Sequence, residues 1–252
     1  ALLAAIYVAL IETSTVTLLV FALVQPQVLV VALTLAAMER AVSGRQTAAG
    51  TLLAVAAAIK LSPGLLVLAF VACRMWPAVR AFAATGALLA LASLALCGIE
   101  AHRAFLGALA EVEAIVLLTS LNPAFETLVW LLSEALSGGD VVARGPHEVI
   151  HPPAWISPAN LAAALVVVAL ALWLTRDLSV RRRLPLAMML LYLATVFTGG
   201  FAWTHYLLLP LLALPGLFAF FPRRRAAILI ALLGLLGSSF LLGLVLVLFE
   251  TH

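Results

Sequence analysis

A lysine stands at the end of a long apolar run in Ala56-Ala57-Ala58-Ile59-Lys60-Leu61-Ser62-Pro63-Gly64. An ammonium so placed is costly unless it has a partner or a path to water. Two chemistries fit Lys60. The long side chain can snorkel to a membrane interface, or it can bind an anion such as a lipid phosphate, helped by donors at the proline-broken helix. Proton transfer needs a carboxylate within reach of a hydroxyl. Glu100, Glu111 and Glu113 read as solvated faces, and Glu126, just past Asn122-Pro123, is the carboxylate to test. Glu12 lies mid-helix beside Thr13, Ser14 and Thr15, where a polar helix contact fits better than a base at a surface. His147 and His151 have i, i+4 spacing, yet Pro146 and Pro152-Pro153 argue for loop, so no metal site is expected. No Gly-rich phosphate loop precedes a helix.

The elements that must hold these groups are set by composition. Of 252 residues, 65% are hydrophobic and 10% charged, against roughly a quarter charged in soluble domains. The apolar residues come in blocks of about 17 to 25, the length of a bilayer-crossing helix. Backbone groups in lipid must be satisfied internally, so the blocks are helices, and the alternation of a membrane barrel is absent. The expected fold is all-α, a polytopic membrane helix bundle forming a single transmembrane domain over 1–252. About nine crossings are expected, near 2–23, 26–41, 46–61, 64–75, 81–98, 158–176, 184–200, 206–222 and 226–249. Ser62-Pro63 breaks the third from the short fourth, a hairpin whose tip sits within the membrane boundary. Starting at Ala1 inside an apolar helix, without Met or a charged leader, the chain reads as a piece of a longer membrane protein. Cys73 and Cys97 fall near opposite ends of different crossings, and no disulfide is expected.

Orientation follows from basic residues, which are retained on the cytoplasmic side. Arg40, Arg45, Arg74, Arg80, Arg176, Arg181 to Arg183 and Arg223 to Arg225 share one side, eleven of the fourteen basic residues. Lys60, Arg103 and Arg144 fall opposite, with Ala1 cytoplasmic. All five histidines then lie outside, as do Gln25, Gln27 and Asn122. The outer segment 99–157 is too long for a simple connection. Ala101 to Leu118 reads as a helix lying in the interface and ended by Leu121-Asn122-Pro123. Residues 124–137 form a short helix, and Asp140 to Pro158 an ordered outer loop or lid. No basic stripe interleaves with aromatics, so nucleic acid is not a partner.

These motifs resemble glycosyltransferase family 87, membrane enzymes of the GT-C type that include polyprenyl-phosphate-mannose-dependent mannosyltransferases. The family has a Gly-Gln-x-Asn-like turn, an apolar helix, a basic turn, a small-residue helix and then Lys-x-x-Pro. Here Pro26-Gln27-Val28-Leu29, Arg40 to Arg45, Ala49-Gly50 and Lys60-Leu61-Ser62-Pro63 follow in that order, with Pro26 and Leu29 departing from Gly and Asn. Asn122-Pro123-Ala124 keeps the asparagine of an Asn-Gln-Ser-like motif, and Trp203-Thr204-His205-Tyr206 is similar to the family's His-Tyr pair. An aromatic interfacial belt also accounts for Trp203 and Tyr206, though less well for His205.

The resemblance implies a transferase moving a mannose-like sugar from a polyprenyl-phosphate donor to a lipid or glycan acceptor at the extracytoplasmic face of the cell membrane, without a cofactor. Membrane lipids, donor and acceptor are the implied partners. Lys60, His205, Gln27, Asn122, Arg103 and Tyr206 are the implied substrate-binding residues. GT-C enzymes typically carry their catalytic acid in the first outer loop, which implies a main base upstream of this chain and leaves Glu126 as the candidate within it. A transporter or lipid flippase is the competing class, marked by repeated halves and broken helices near the membrane midplane. A lipid-linked polysaccharide polymerase or ligase is the nearer enzyme alternative.

Overall fold

The computed structural model describes residues 14–22, 24–118, 124–137, 148–199 and 204–228. Its elements are α1 (Thr15–Ala22), α2 (Gln27–Val42), α3 (Gln46–Ile59), a 3-10 turn (Ser62–Leu66), α4 (Val67–Ala72), α5 (Trp76–Glu113), β1 (Val116–Leu118), α6 (Phe125–Leu136), β2 (Glu148–Ile150), α7 (Ile156–Thr175) and α8 (Val180–Thr198). A 3-10 turn (Thr204–Leu207), α9 (Leu208–Ala213) and a further 3-10 stretch (Leu214–Ala219) follow. The chain divides into two compact units, Ala1–Val31 with Thr204–His252, and Ala32–Trp203.

Among the described residues two helices are long and apolar enough to cross a membrane, Trp76–Val112 and Ile156–Thr175. None of the most apolar window of the first is buried, and Leu96 is 86% exposed. A bare leucine surface of this length is a surface for lipid. At about 1.5 Å per residue, the 20 residues of α7 span about 30 Å, the thickness of a bilayer core.

The expected crossings 64–75 and 206–222 differ from the structure. Pro63 forces the chain after Lys60 into a 3-10 turn, and only six residues of α-helix follow in α4. Pro210 and Pro215 likewise divide the second stretch into short 3-10 and α pieces. The fold is also not purely helical. Val116–Leu118 pairs antiparallel with Glu148–Ile150, Val116 opposite Ile150. The helix expected to reach Leu118 therefore stops at Glu113, before Asn122-Pro123, because the next residues find backbone partners in a second strand. Val116, Trp130 and Ile156 form a small buried cluster beneath this pair, flanked by Leu131 and Ile150. The Asp140 to Pro158 loop contains β2 and the start of α7, while 138–147 lies outside the described residues.

In the second unit α3 packs along α5 through its small residues. Ala49, Gly50, Leu53, Ala54 and Ala56 are buried. A Cβ at Gly50 would collide with the Ala78 carbonyl oxygen, so only glycine permits the helix backbones to approach so closely. The Thr51 and Thr85 hydroxyls meet across the same pair at 3.4 Å.

Helix α5 breaks at Gly98, whose φ of 76° is open to glycine and strained for other residues. His102 spans the break: Nδ1 lies 2.8 Å from the Gly98 carbonyl oxygen and Nε2 3.2 Å from Ser93 Oγ. A carbonyl only accepts, so Nδ1 carries the proton, and in the neutral ring Nε2 accepts from Ser93. The break falls where the sequence ends its fifth crossing.

Candidate functional site

Lys60 follows directly on α3. Its backbone is extended (φ −150°, ψ 125°), and its N–H donates to the Ala56 carbonyl as the helix ends. The side chain is half-buried, between the exposed Ile59 and Leu61. Beyond it Gly64 comes back against α3, close enough that an added Cβ would touch Ala57 at 3.8 Å. The 3-10 turn also packs on α8. Lys60 thus occupies the tip of a short reversal, at the break made by Ser62-Pro63.

Glu126 is not a solvated carboxylate. It lies in the first turn of α6, where the helix dipole favours negative charge, and is only 6% exposed. Asn160, one turn into α7, donates from Nδ2 to Glu126 Oε1 at 2.8 Å. The same nitrogen donates to the Thr198 carbonyl at 2.9 Å. Thr198 ends α8, where carbonyls lack helical partners. Its hydroxyl donates back to the Ala194 carbonyl at 2.7 Å. Asn160 therefore joins the start of α6 to the end of α8, with both amide hydrogens spent on acceptors. The opposite amide orientation would set Oδ1 against a carboxylate and a carbonyl. Asn160 Oδ1 is buried with no hydrogen-bond partner, and Thr127, beside Glu126, is 2% exposed.

Asn160 and Thr198 are not among the residues the sequence singles out. The signal was present: one amide in the apolar run Ile156–Thr175, a position where a polar side chain needs a partner.

The remaining candidates are distributed. Gln27 begins α2 and is buried, at 1% exposure. His205 and Tyr206 lie in the turn Thr204–Leu207, and Tyr206 is half-buried. Gln27, His205 and Tyr206 belong to the first unit, whereas Lys60, Arg103, Glu126 and Asn160 belong to the second. Arg103 forms an exposed ion pair with Glu100 one turn away, at 2.7 Å. Such a pair contributes about 0–1 kcal/mol and reads as a surface feature. His151 Nδ1 lies 3.3 Å from the Ala114 carbonyl, tying the end of β2 to the end of α5. Glu12, Asn122, Arg144, His147 and His252 lie outside the described residues. Among the described residues no three His, Cys, Asp or Glu side chains form a metal-binding group.

An open apolar groove of about 250 Å³ lies between α7 and α8, lined by residues from Val167 and Leu174 to Ala194 and Phe197. The second unit therefore offers a cation at a helix break and a buried carboxylate held by an amide. No curated protein and no solved structure matches the chain. The model of glycosyltransferase family 87 matches residues 1–202, a span that holds Gln27, Lys60, Arg103, Asn122, Glu126 and Asn160 and ends just before Trp203. With four fifths of its length inside that match, this mostly helical chain belongs to glycosyltransferase family 87.

Proposed function

We propose that the protein transfers a mannose-like sugar from a polyprenyl-phosphate donor to a hydroxyl of a lipid or glycan acceptor at the extracytoplasmic face. The observation that carries the reading is Lys60 at the tip of the α3 reversal. Fourteen residues of α3 rise about 21 Å, and the eleven residues returning through α4 rise no more than about 20 Å. Both fall short of the roughly 30 Å hydrocarbon core. With the Arg40 to Arg45 and Arg74 to Arg80 turns at the cytoplasmic surface, Lys60 is recessed below the opposite surface. That is the level of a lipid phosphate drawn slightly into the protein.

In the reaction the acceptor oxygen attacks the anomeric carbon and loses its proton to a carboxylate. The bond from that carbon to the phosphate oxygen breaks, and its electron pair leaves on the polyprenyl phosphate. Lys60 stabilises the departing anion, the α7–α8 groove accommodates the apolar tail, and Glu126 is the carboxylate of this chain suited to receive the proton.

The test is transfer of labelled mannose from polyprenyl-phosphate mannose to membrane lipid acceptors by the protein in proteoliposomes. Labelled product and released polyprenyl phosphate in equal amounts are expected, with both reduced in Lys60→Ala and His205→Ala variants that remain folded. Unchanged turnover in both variants would remove these assignments. Movement of the intact donor across the bilayer without bond cleavage would favour a flippase.

A further inference from the structure

We infer that the arginine-bearing end of the second unit binds anionic phospholipid headgroups, at the opposite end of α3 from Lys60. Its arginines come from three turns of one compact unit. Gly50 meets the Ala78 carbonyl near the starts of α3 and α5, so Arg45 and Arg80 share an end. The Cys73 thiol, which closes α4, lies within reach of the Arg183 charge, so Arg74 and the start of α8 belong to the same end. Both acids of these turns are engaged, Glu39 with Arg40 at 3.2 Å and Asp177 with Arg176 at 3.3 Å. Arg45, Arg74, Arg80, Arg181 and Arg182 are exposed and have no carboxylate partner among the described residues. Trp76 and Trp173 are exposed at this end, and indoles favour the headgroup level of a bilayer.

Retention on one side of the membrane needs charge, but it does not need charge where two of these groups stand. Helices α2 and α4 close in the same way. The Gly44 N–H donates to the Ala41 carbonyl and the Arg45 N–H to Arg40, as Arg74 does to Val71 and Met75 to Phe70. That closure requires a left-handed residue, and glycine suits it. Gly44 fills the position after α2 with φ 80°, whereas after α4 it is Arg74, with φ 55°. Arginine is strained there, and Arg45 shows that the charge fits one position later. In α8, Arg181 to Arg183 fill the first turn with no acidic residue, and Ser179 makes no side-chain cap. Cations are disfavoured at that pole of a helix. An anionic surface lying against this end offsets both penalties, neutralising the first turn of α8 and engaging Arg74. The two helices long and apolar enough to cross a membrane, Trp76–Val112 and Ile156–Thr175, each have one end here. The anions at that level of a bilayer are lipid phosphodiesters, which attract basic groups beside a span.

The test uses the full chain, delipidated in a neutral detergent and titrated with dioleoyl phosphatidylglycerol, dioleoyl phosphatidylcholine or inorganic phosphate. Melting temperature is read at each concentration. Wild type is expected to melt higher with phosphatidylglycerol, and with neither of the others at equal concentration. Added salt should shrink the rise. Without lipid, Arg74→Gly is expected to melt higher than wild type, because the left-handed strain is relieved. It should nevertheless need about fivefold more phosphatidylglycerol to reach half of its rise. The double variant R181Q/R182Q should need more than about tenfold as much. An equal rise with phosphatidylcholine would overturn the inference. So would an equal rise with inorganic phosphate, which would make this a site for soluble anions. Wild-type half-points in both variants would also overturn it, leaving the arginines as orientation signals alone. Arg74→Gly relaxes the fold and therefore delivers a result even if the double variant does not fold. Sugar transfer enters none of these readouts, so the glycosyl-transfer reading and this surface can fail separately.

Discussion

The two ends of the α7–α8 pair are built from different polar chemistry. At the turn joining the helices, Arg176 pairs with its neighbour Asp177 at 3.3 Å and lies 4.9 Å over the Trp173 ring. Arg181 and Arg182 are exposed and Arg183 is half-buried. Asp177 and Trp173 lie within three positions of Arg176 in sequence, so these contacts hold no distant element in place. At the other end, Asn160 joins Glu126 and Thr198, which lie 34 and 38 positions away. The first end suits lipid headgroups and retention on the basic side of the membrane. The second fixes three helices around a carboxylate, an arrangement with a cost if disturbed. Charge alone addresses a surface, whereas burial with distant partners is what chemistry requires.

The largest effect should come from the carboxylate. In the proposed reading Glu126 receives the acceptor's proton, so Glu126→Gln, which keeps size and hydrogen-bonding capacity, should lower kcat by about 10²- to 10⁴-fold with melting little changed. A loss below about threefold would make this end as dispensable as the other.

Next is Lys60→Ala, expected to lower kcat/KM about 10- to 100-fold, since a charge-assisted contact to a phosphate contributes about 1.5–3 kcal/mol. Lys60→Arg should lose less if charge alone matters, and equally if shape matters.

Gly50→Leu separates packing from chemistry. Driving a side chain into the Ala78 carbonyl should destabilise by about 1–3 kcal/mol or more, read as a lower melting temperature, with kcat per folded molecule retained.

The smallest effect belongs to Arg176→Ala. Its exposed ion pair and ring contact should together contribute no more than about 2 kcal/mol, and sugar transfer per folded molecule should stay within twofold of wild type.

Where the sequence was readable, a residue's own covalent chemistry decided the outcome. Pro63 ends a helix whatever surrounds it, so the reversal after Lys60 could be placed in advance. The end of the fifth crossing was marked by falling hydropathy, and Gly98 supplies the φ that permits it. The strand pair is not legible in the sequence, because three-residue strands separated by about thirty residues carry neither a turn signal nor a period. Glu126 was visible as a carboxylate, but its burial depends on α7 and α8, elements distant in sequence. Asn160 is hard to read from sequence because one amide among nineteen mostly apolar neighbours leaves the run apolar as a whole. The divided stretch after Thr204 was signalled by Pro210 and Pro215, which apolar content outweighed.

Placing the two ends of α7–α8 on opposite faces of the membrane is the claim beneath the rest, and side-specific labelling tests it most directly. In a background with Cys73 and Cys97 replaced by serine, single cysteines at Val149, which is exposed in β2, and at Arg182 would be treated with an impermeant maleimide in intact cells. The account predicts labelling of Val149→Cys alone, with Arg182→Cys reacting only after the membrane is permeabilised. Labelling of both in intact cells, or of Arg182→Cys alone, would contradict it.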